Sequence, residues 1–199
     1  MKVARKALLV VDVQRDFCAG GALAVRDGDS VVPKLNRIID AFARASIPII
    51  FTRDWHPSDH ISFKTQGGPW PPHCIKGTSG AKFHPSLYVP RGALIISKGF
   101  GTSSEAYSGF QGTDLEKRLK ELGVEEILLG GLATDYCIKE SALDALGAGL
   151  KVDVLEDCIK GVNLRKNDSE LALREMAARG AELVASSSAM RVATRCLLH

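Results

Sequence analysis

Glu126-Ile127-Leu128-Leu129-Gly130-Gly131-Leu132-Ala133-Thr134-Asp135-Tyr136-Cys137 is the stretch that decides the fold. Its opening, 126–130, is a short apolar run without alternation, the pattern of a strand buried on both faces. Glycines and a polar turn follow, and a helix begins near Asp135. A strand that turns tightly into a helix is half of a β-α-β unit, and the rest of the chain repeats it. Residues 7–13 (ALLVVDV) read as another buried strand, and 30–45 as a helix with Val32, Leu35, Ile38, Ile39 and Phe42 on one face. Further strands are expected at 47–52 (IPIIFT), Leu94–Lys98, 151–155 and 182–185. Further helices are expected near 113–122 and 168–179. Thr113-x-x-Glu116 reads as a capping box for the first of these, and Gly123 as its stop. The alternation predicts an α/β protein, a three-layer αβα arrangement around a mostly parallel six-stranded sheet. No repeat or linker interrupts residues 1–199, which read as a single domain.

Composition narrows the function classes. The chain is 45% hydrophobic and 25% charged, enough apolar residue to bury a substantial core. Its net charge of +3 is mild and no dense Lys/Arg cluster is present, so no nucleic-acid partner is expected. The apolar runs are strand-length, short of the ~20 residues that span a bilayer, so no membrane is expected either. The N-terminus lacks the apolar segment and cleavage site of a signal peptide, which predicts a cytoplasmic protein. Cys18, Cys74, Cys137, Cys158 and Cys196 stand singly with no CxxC pair, so a disulfide framework is not expected. Some of these thiols should simply fill core.

Ligands of an open parallel sheet bind outside the carboxyl ends of its strands. On that edge the sequence places Asp12, with Gln14 and Asp16 behind it, then Asp54, Lys98 and Cys137. A carboxylate, an amine and a thiol from separate strands thus reach one rim. A helix N-terminus and a nearby Lys lower a thiol's pKa, and a carboxylate can relay its proton. Backbone N–H groups at the turn before Cys137 could bind an oxyanion. Singly, a helical Cys is more often core and a strand-end acid or Lys is more often solvated; only their coincidence favours a nucleophilic site. The segment 55–90 fits no period, and loops that long are usually functional. It holds His56, His60, His73 and His84, four of the five histidines. Asp54 and His56 fall on one side of an extended segment. Mixed N/O donors suit zinc, iron or manganese, unlike calcium or magnesium; incidental histidines on a polar loop are the competing reading.

At these residues the sequence resembles the nicotinamidases, within the isochorismatase-like cysteine hydrolases. The resemblance rests on Val11-Asp12-Val13-Gln14-Arg15-Asp16-Phe17, Arg53-Asp54-Trp55-His56-Pro57, Trp70-Pro71-Pro72-His73-Cys74, Lys98-Gly99, Glu105-Ala106-Tyr107-Ser108-Gly109-Phe110 and Gly131-Leu132-Ala133-Thr134-Asp135-Tyr136-Cys137. It implies the isochorismatase-like hydrolase fold and a catalytic triad of Asp12, Lys98 and Cys137. It also implies a cis peptide between Leu132 and Ala133, and an oxyanion hole from the N–H groups of Ala133 and Cys137. Asp54, His56 and His73 match ligands of one divalent ion per chain, zinc foremost, with iron or manganese as alternatives. Phe17, Trp70 and Tyr107 would wall a flat ring. The implied reaction is hydrolysis of nicotinamide to nicotinate and ammonia through a Cys137 thioester, a step of NAD salvage, with pyrazinamide as a side substrate. His60 departs from the family's spacing for a further loop histidine, so its role as a ligand stays open, and Cys74 reads as packing. Two rivals remain: a hydrolase of isochorismate or of ureido compounds, which lacks the Asp54/His56/His73 set, and a silent binding module, which would not need Asp12, Lys98 and Cys137. The tail 186–199 carries no role beyond an edge or oligomer contact, and a homo-oligomer stays open.

Overall fold

The structure is a computed structural model that describes residues 5–197. Its centre is a six-stranded sheet in the order β3-β2-β1-β4-β5-β6. The strands are β1 (Lys6–Val11), β2 (Ile49–Asp54), β3 (Leu94–Lys98), β4 (Glu126–Leu132), β5 (Lys151–Lys160) and β6 (Glu182–Val184). Every neighbouring pair is parallel, so each return needs a crossover, and the helices supply it. They are α1 (Val31–Arg44), α2 (Leu115–Glu121), α3 (Lys139–Gly147), α4 (Asp168–Ala178) and α5 (Ser186–Leu197). The expected αβα architecture is therefore the observed one.

Alternation along β1 separates two cores. Leu8 and Val10 join Leu35, Ile38, Ile39 and Phe42 of α1 and Ala189 and Ala193 of α5. Ala7, Leu9 and Val11 face the other way, onto Leu115 and Leu119 of α2, Ala142 of α3 and Met176 of α4. Each large aliphatic or aromatic side chain buried here contributes roughly 1.5–3 kcal/mol of apolar transfer. This two-sided burial is why the strands read as continuous apolar runs.

Several boundaries differ from expectation. Strand β2 runs two residues beyond 52, so Asp54 is its last member, and β5 extends to Lys160. The capping box at Thr113 does not form as expected. Asp114 holds the N-cap position of α2, while the Thr113 hydroxyl accepts the Leu115 N–H at 3.2 Å and donates to the Gly109 carbonyl at 2.6 Å. Gly123 does stop the helix, in a left-handed conformation (φ 64°). The tail, for which no structure was foreseen, is α5. Its small residues Ala189 and Ala193, one turn apart, pack against α1. Residues 198 and 199 of that tail lie outside the described residues. Among the described residues, no helix is long and apolar enough to cross a membrane.

Candidate active site

The strand order reverses between β1 and β4, so the crossovers on either side diverge and leave a crevice at their carboxyl ends. The first residue beyond β1, Asp12, takes a left-handed backbone (φ 49°), which a short polar side chain tolerates better than most. Thr52 on β2 holds it there. The Asp12 N–H donates to the Thr52 carbonyl (3.3 Å), and the Thr52 hydroxyl donates to Asp12 Oδ1 (2.6 Å). At the end of β2, Gln14 clamps the backbone of Asp54, accepting its N–H at 2.7 Å and donating to its carbonyl at 2.8 Å. Gln14 and Thr52 are both fully buried. Neither role was foreseen; for Gln14 the only signal was its place behind Asp12.

Lys98, the last residue of β3, is the hub. Its Nζ lies 2.9 Å from Asp12 Oδ2 and 2.5 Å from Asp54 Oδ1, and it donates to the Ala106 carbonyl at 3.2 Å and to Cys137 Sγ at 3.4 Å. Lys98 and Asp12 are 0% exposed, and Asp54 and Cys137 each 5%. Asp12 Oδ2, although close to the ammonium, has no well-aligned hydrogen-bond donor. It is therefore free to accept a proton from the neighbouring thiol. Beyond β4 the Leu132–Ala133 peptide is cis. A π-type turn, Thr134–Ile138, then carries Cys137 into α3. The amides of Tyr136 and Ile138 close that turn on the Ala133 carbonyl, both at 3.1 Å. Gly131 allows the approach, because a Cβ at its φ of 130° would overlap the Val11 carbonyl.

The electrostatics correct one expectation. Burial raises the Cys137 thiol well above its ordinary pKa, and the Lys98 ammonium only partly opposes this. Burial also raises the Asp12 carboxyl; Lys98 pulls it down, and Asp54 pushes it further up. Asp54 differs: burial acts to raise it, but Lys98 and then His56 outweigh that and hold it below the usual carboxylate range. For Lys98 burial favours the neutral amine, yet Asp12 and Asp54 outweigh it and keep the ammonium. The site thus sets a buried cation and an anion at Asp54 beside an acid, Asp12, and a thiol, Cys137, whose pKa values both move up. The expectation that the turn and Lys98 lower the Cys137 pKa is corrected in direction: desolvation outweighs Lys98 and raises it.

On the other side of Asp54 lies a second group. The donor atoms of Asp54, His56 and His73 all fall within 4.8 Å of one another, with His56 Nε2 3.5 Å from Asp54 Oδ2. The two rings are held from behind: each Nδ1 is 2.8 Å from a carbonyl, that of Gly99 for His56 and that of Pro71 for His73. A carbonyl only accepts, so each Nδ1 carries a proton and each Nε2 is the atom turned toward Asp54, where a cation would take its lone pair. Gly99 is required here, since a Cβ on it would come within 2.5 Å of the His56 ring. These buried residues fit a divalent cation, by donor type and by tautomer. His60 stacks on His56 with ring centroids 4.1 Å apart but is not among the three converging donors.

Phe17, Trp70 and Tyr107 line the same cavity, joined by Leu23, Glu105 and Tyr136. Trp70 Nε1–H donates to the Tyr107 hydroxyl at 3.0 Å, and the Tyr136 ring meets both at 5.1 and 5.3 Å. The space at the centre is about 30 Å³. His84 lies elsewhere, against Asp29. Of the other cysteines, Cys18, Cys74 and Cys158 are buried but do not line this cavity, and Cys196 is exposed.

Residues 6–188 match the family model of the isochorismatase domain. The chain is 42% identical to the nicotinamidase of Escherichia coli, over 89% of this chain and 93% of that one. It is 41% identical to the nicotinamidase/pyrazinamidase of Mycobacterium tuberculosis, over 92% of this chain and 100% of that one. Among solved structures, the pyrazinamidase of Pyrococcus horikoshii in complex with zinc superposes with a TM-score of 0.87 at 49% identity, covering 91% of this chain and 99% of that one. The chain belongs to the isochorismatase family and, within it, to the nicotinamidase and pyrazinamidase group of amide hydrolases.

Proposed function

We propose that the chain, acting as one domain, hydrolyses nicotinamide to nicotinate and ammonia, a step that would serve NAD salvage, and that it also accepts pyrazinamide. The observation that carries this reading is the double use of Asp54, whose Oδ1 meets Lys98 while Oδ2 faces His56. A nucleophile cluster and a metal-type cluster thereby share one carboxylate in one cavity. Cys137 gives its thiol proton to Asp12 as Sγ attacks the carboxamide carbon. The N–H groups of Ala133 and Cys137 receive the developing oxyanion. As the C–N bond breaks, Asp12 returns the proton to the departing ammonia and a thioester remains. Water then attacks that thioester and passes a proton through Asp12. The C–S bond breaks, nicotinate leaves and the thiol is restored. Lys98 stays an ammonium throughout, balancing Asp12 and Asp54.

Asp54, His56 and His73 would hold one divalent ion, zinc foremost, which supplies an open coordination position to the lone pair of a ring nitrogen. Phe17, Trp70 and Tyr107 would sandwich the ring.

The test is ammonia release from nicotinamide and from benzamide, which lacks the ring nitrogen. Loss of an anchor of roughly 3 kcal/mol costs about a hundredfold in kcat/KM. Nicotinamide should therefore be the far better substrate, and chelation should remove most of the difference. Equal cleavage of both amides, or a purified protein without bound metal, would refute the ring-anchoring reading.

A further inference from the structure

A second convergence of metal-type donors lies outside this cavity. Cys18 Sγ, an oxygen of Asp29 and a ring nitrogen of His84 fall within 4.8 Å of one another. Cys18 follows the turn Arg15–Phe17, Asp29 sits in the turn Gly28–Ser30 that leads into α1, and His84 belongs to the long loop before β3. The thiol is free and 2% exposed. Asp29 is positioned by its own backbone neighbours: Oδ2 accepts the Ala19 N–H at 2.8 Å, leaving Oδ1 to face His84 Nε2 at 3.1 Å. His84 is anchored by its N–H, which donates to the Val13 carbonyl at 2.9 Å. A depression of about 430 Å³ lined by Cys18, Gly20, Gly21 and His84 opens beside the group. It gives an ion a path in and room for a solvent ligand.

We propose that Cys18, Asp29 and His84 form a second divalent-metal site, suited to zinc or a similar borderline-soft ion. One sulfur, one nitrogen and one oxygen donor with a solvent position make a four-coordinate set, and the thiolate excludes calcium and magnesium as natural occupants. Without the ion, the Ser86 N–H donates to His84 Nδ1 at 3.1 Å, so Nε2 carries the ring proton and gives it to Asp29. On binding, the ion replaces the thiol proton and takes the Nε2 lone pair. The ring proton then sits on Nδ1, and the Ser86 N–H, which lies at the surface, turns to water. Two chain segments far apart in sequence become clipped together directly beside Phe17, which lines the active-site cavity. This site is independent of the reaction proposed above.

Cobalt(II) titrated into chelator-stripped protein reports it directly. A thiolate bound to cobalt gives a near-ultraviolet charge-transfer band, and Asp54, His56 and His73 contain no sulfur. The expected result is two bound equivalents with such a band. Cys18→Ser and His84→Gln should each lose the band and one equivalent, and Cys137→Ala should retain both. Because Cys18 lies in core, the surface change Asp29→Asn provides a second measurement and should weaken the band-forming step at least tenfold, as should zinc binding followed by equilibrium dialysis. Cobalt binding without such a band in the unaltered protein would overturn the proposal. So would a band that survives Cys18→Ser, a band that disappears in Cys137→Ala, or unchanged affinity in Asp29→Asn.

Discussion

Replacing Lys98 by methionine is the sharpest test of the buried charge cluster. Methionine nearly matches the lysine stem in volume, so packing changes little while the cation is removed. Lys98 is 0% exposed and lies within 2.9 Å of both Asp12 and Asp54. Deleting one partner of such a group strands the others and costs about 3–5 kcal/mol. In a chain of this length each kcal/mol shifts Tm by about 2–4 °C, so a fall of roughly 10 °C is expected. The loss should depend on pH. Without the ammonium nothing of like strength opposes the burial that already raises the Asp12 carboxyl, so its folded-state pKa moves further above its unfolded value. Falling pH then loads protons onto the folded form first and stabilises it relative to the unfolded chain. The deficit against the unaltered protein should therefore be larger at pH 8 than at pH 5.5. Urea unfolding at both pH values, with chelator present so that no metal compensates for Asp54, measures it. Adding Asp54→Asn to Lys98→Met removes one stranded anion and should recover part of the stability but no turnover. A single variant as stable as the parent at pH 8, or a deficit that does not shrink in acid, would show that the ion pairs are not what holds this cluster.

Two further outcomes concern Cys137 and, elsewhere in the sheet, Asp153. Cys137→Ala should abolish ammonia release and the thioester adduct detectable by mass spectrometry, while Cys158→Ala and Cys196→Ala keep most activity; appreciable turnover by Cys137→Ala would end the covalent mechanism. Asp153, on β5, has its carboxyl raised to about 6, first by burial and then by Glu126. Its folded pKa exceeds the unfolded value of about 3.9, so the parent loses stability as pH rises through 6. Asp153→Asn should therefore stabilise by about 1 kcal/mol at pH 8, after discount for a half-exposed group, and by nothing at pH 4. Thermal melts that show no pH-dependent gain would refute this.

Much of the architecture was legible because its causes are local. Strands buried on both faces need unbroken apolar runs, and 7–11 and 127–130 have them. Helix α1 needs an apolar stripe, and Leu35, Ile38, Ile39 and Phe42 supply it. Helix α5 was missed because two buried alanines make too faint a stripe; their contribution is a close approach to α1 and not a large apolar area. The Thr113 capping box failed because a motif specifies donors and acceptors but not their competitors, here the Gly109 carbonyl.

For the site, the sequence by itself determined which reactive side chains terminate which strands: Asp12 after β1, Asp54 and Lys98 closing β2 and β3, Cys137 after β4. A parallel sheet then brings them to one edge. What only the tertiary structure decided is their mutual distance and their protonation. Gln14 and Thr52 reach across strands to aim Asp54 and Asp12, and the carbonyls of Gly99 and Pro71 select the tautomers of His56 and His73. Burial pushes the Cys137 pKa up where its turn and its lysine suggested a lowering. Strand ends follow from periodicity, a property of neighbours in the chain. Desolvation and charge coupling depend on every atom that excludes water from the site, and those atoms come from the whole fold.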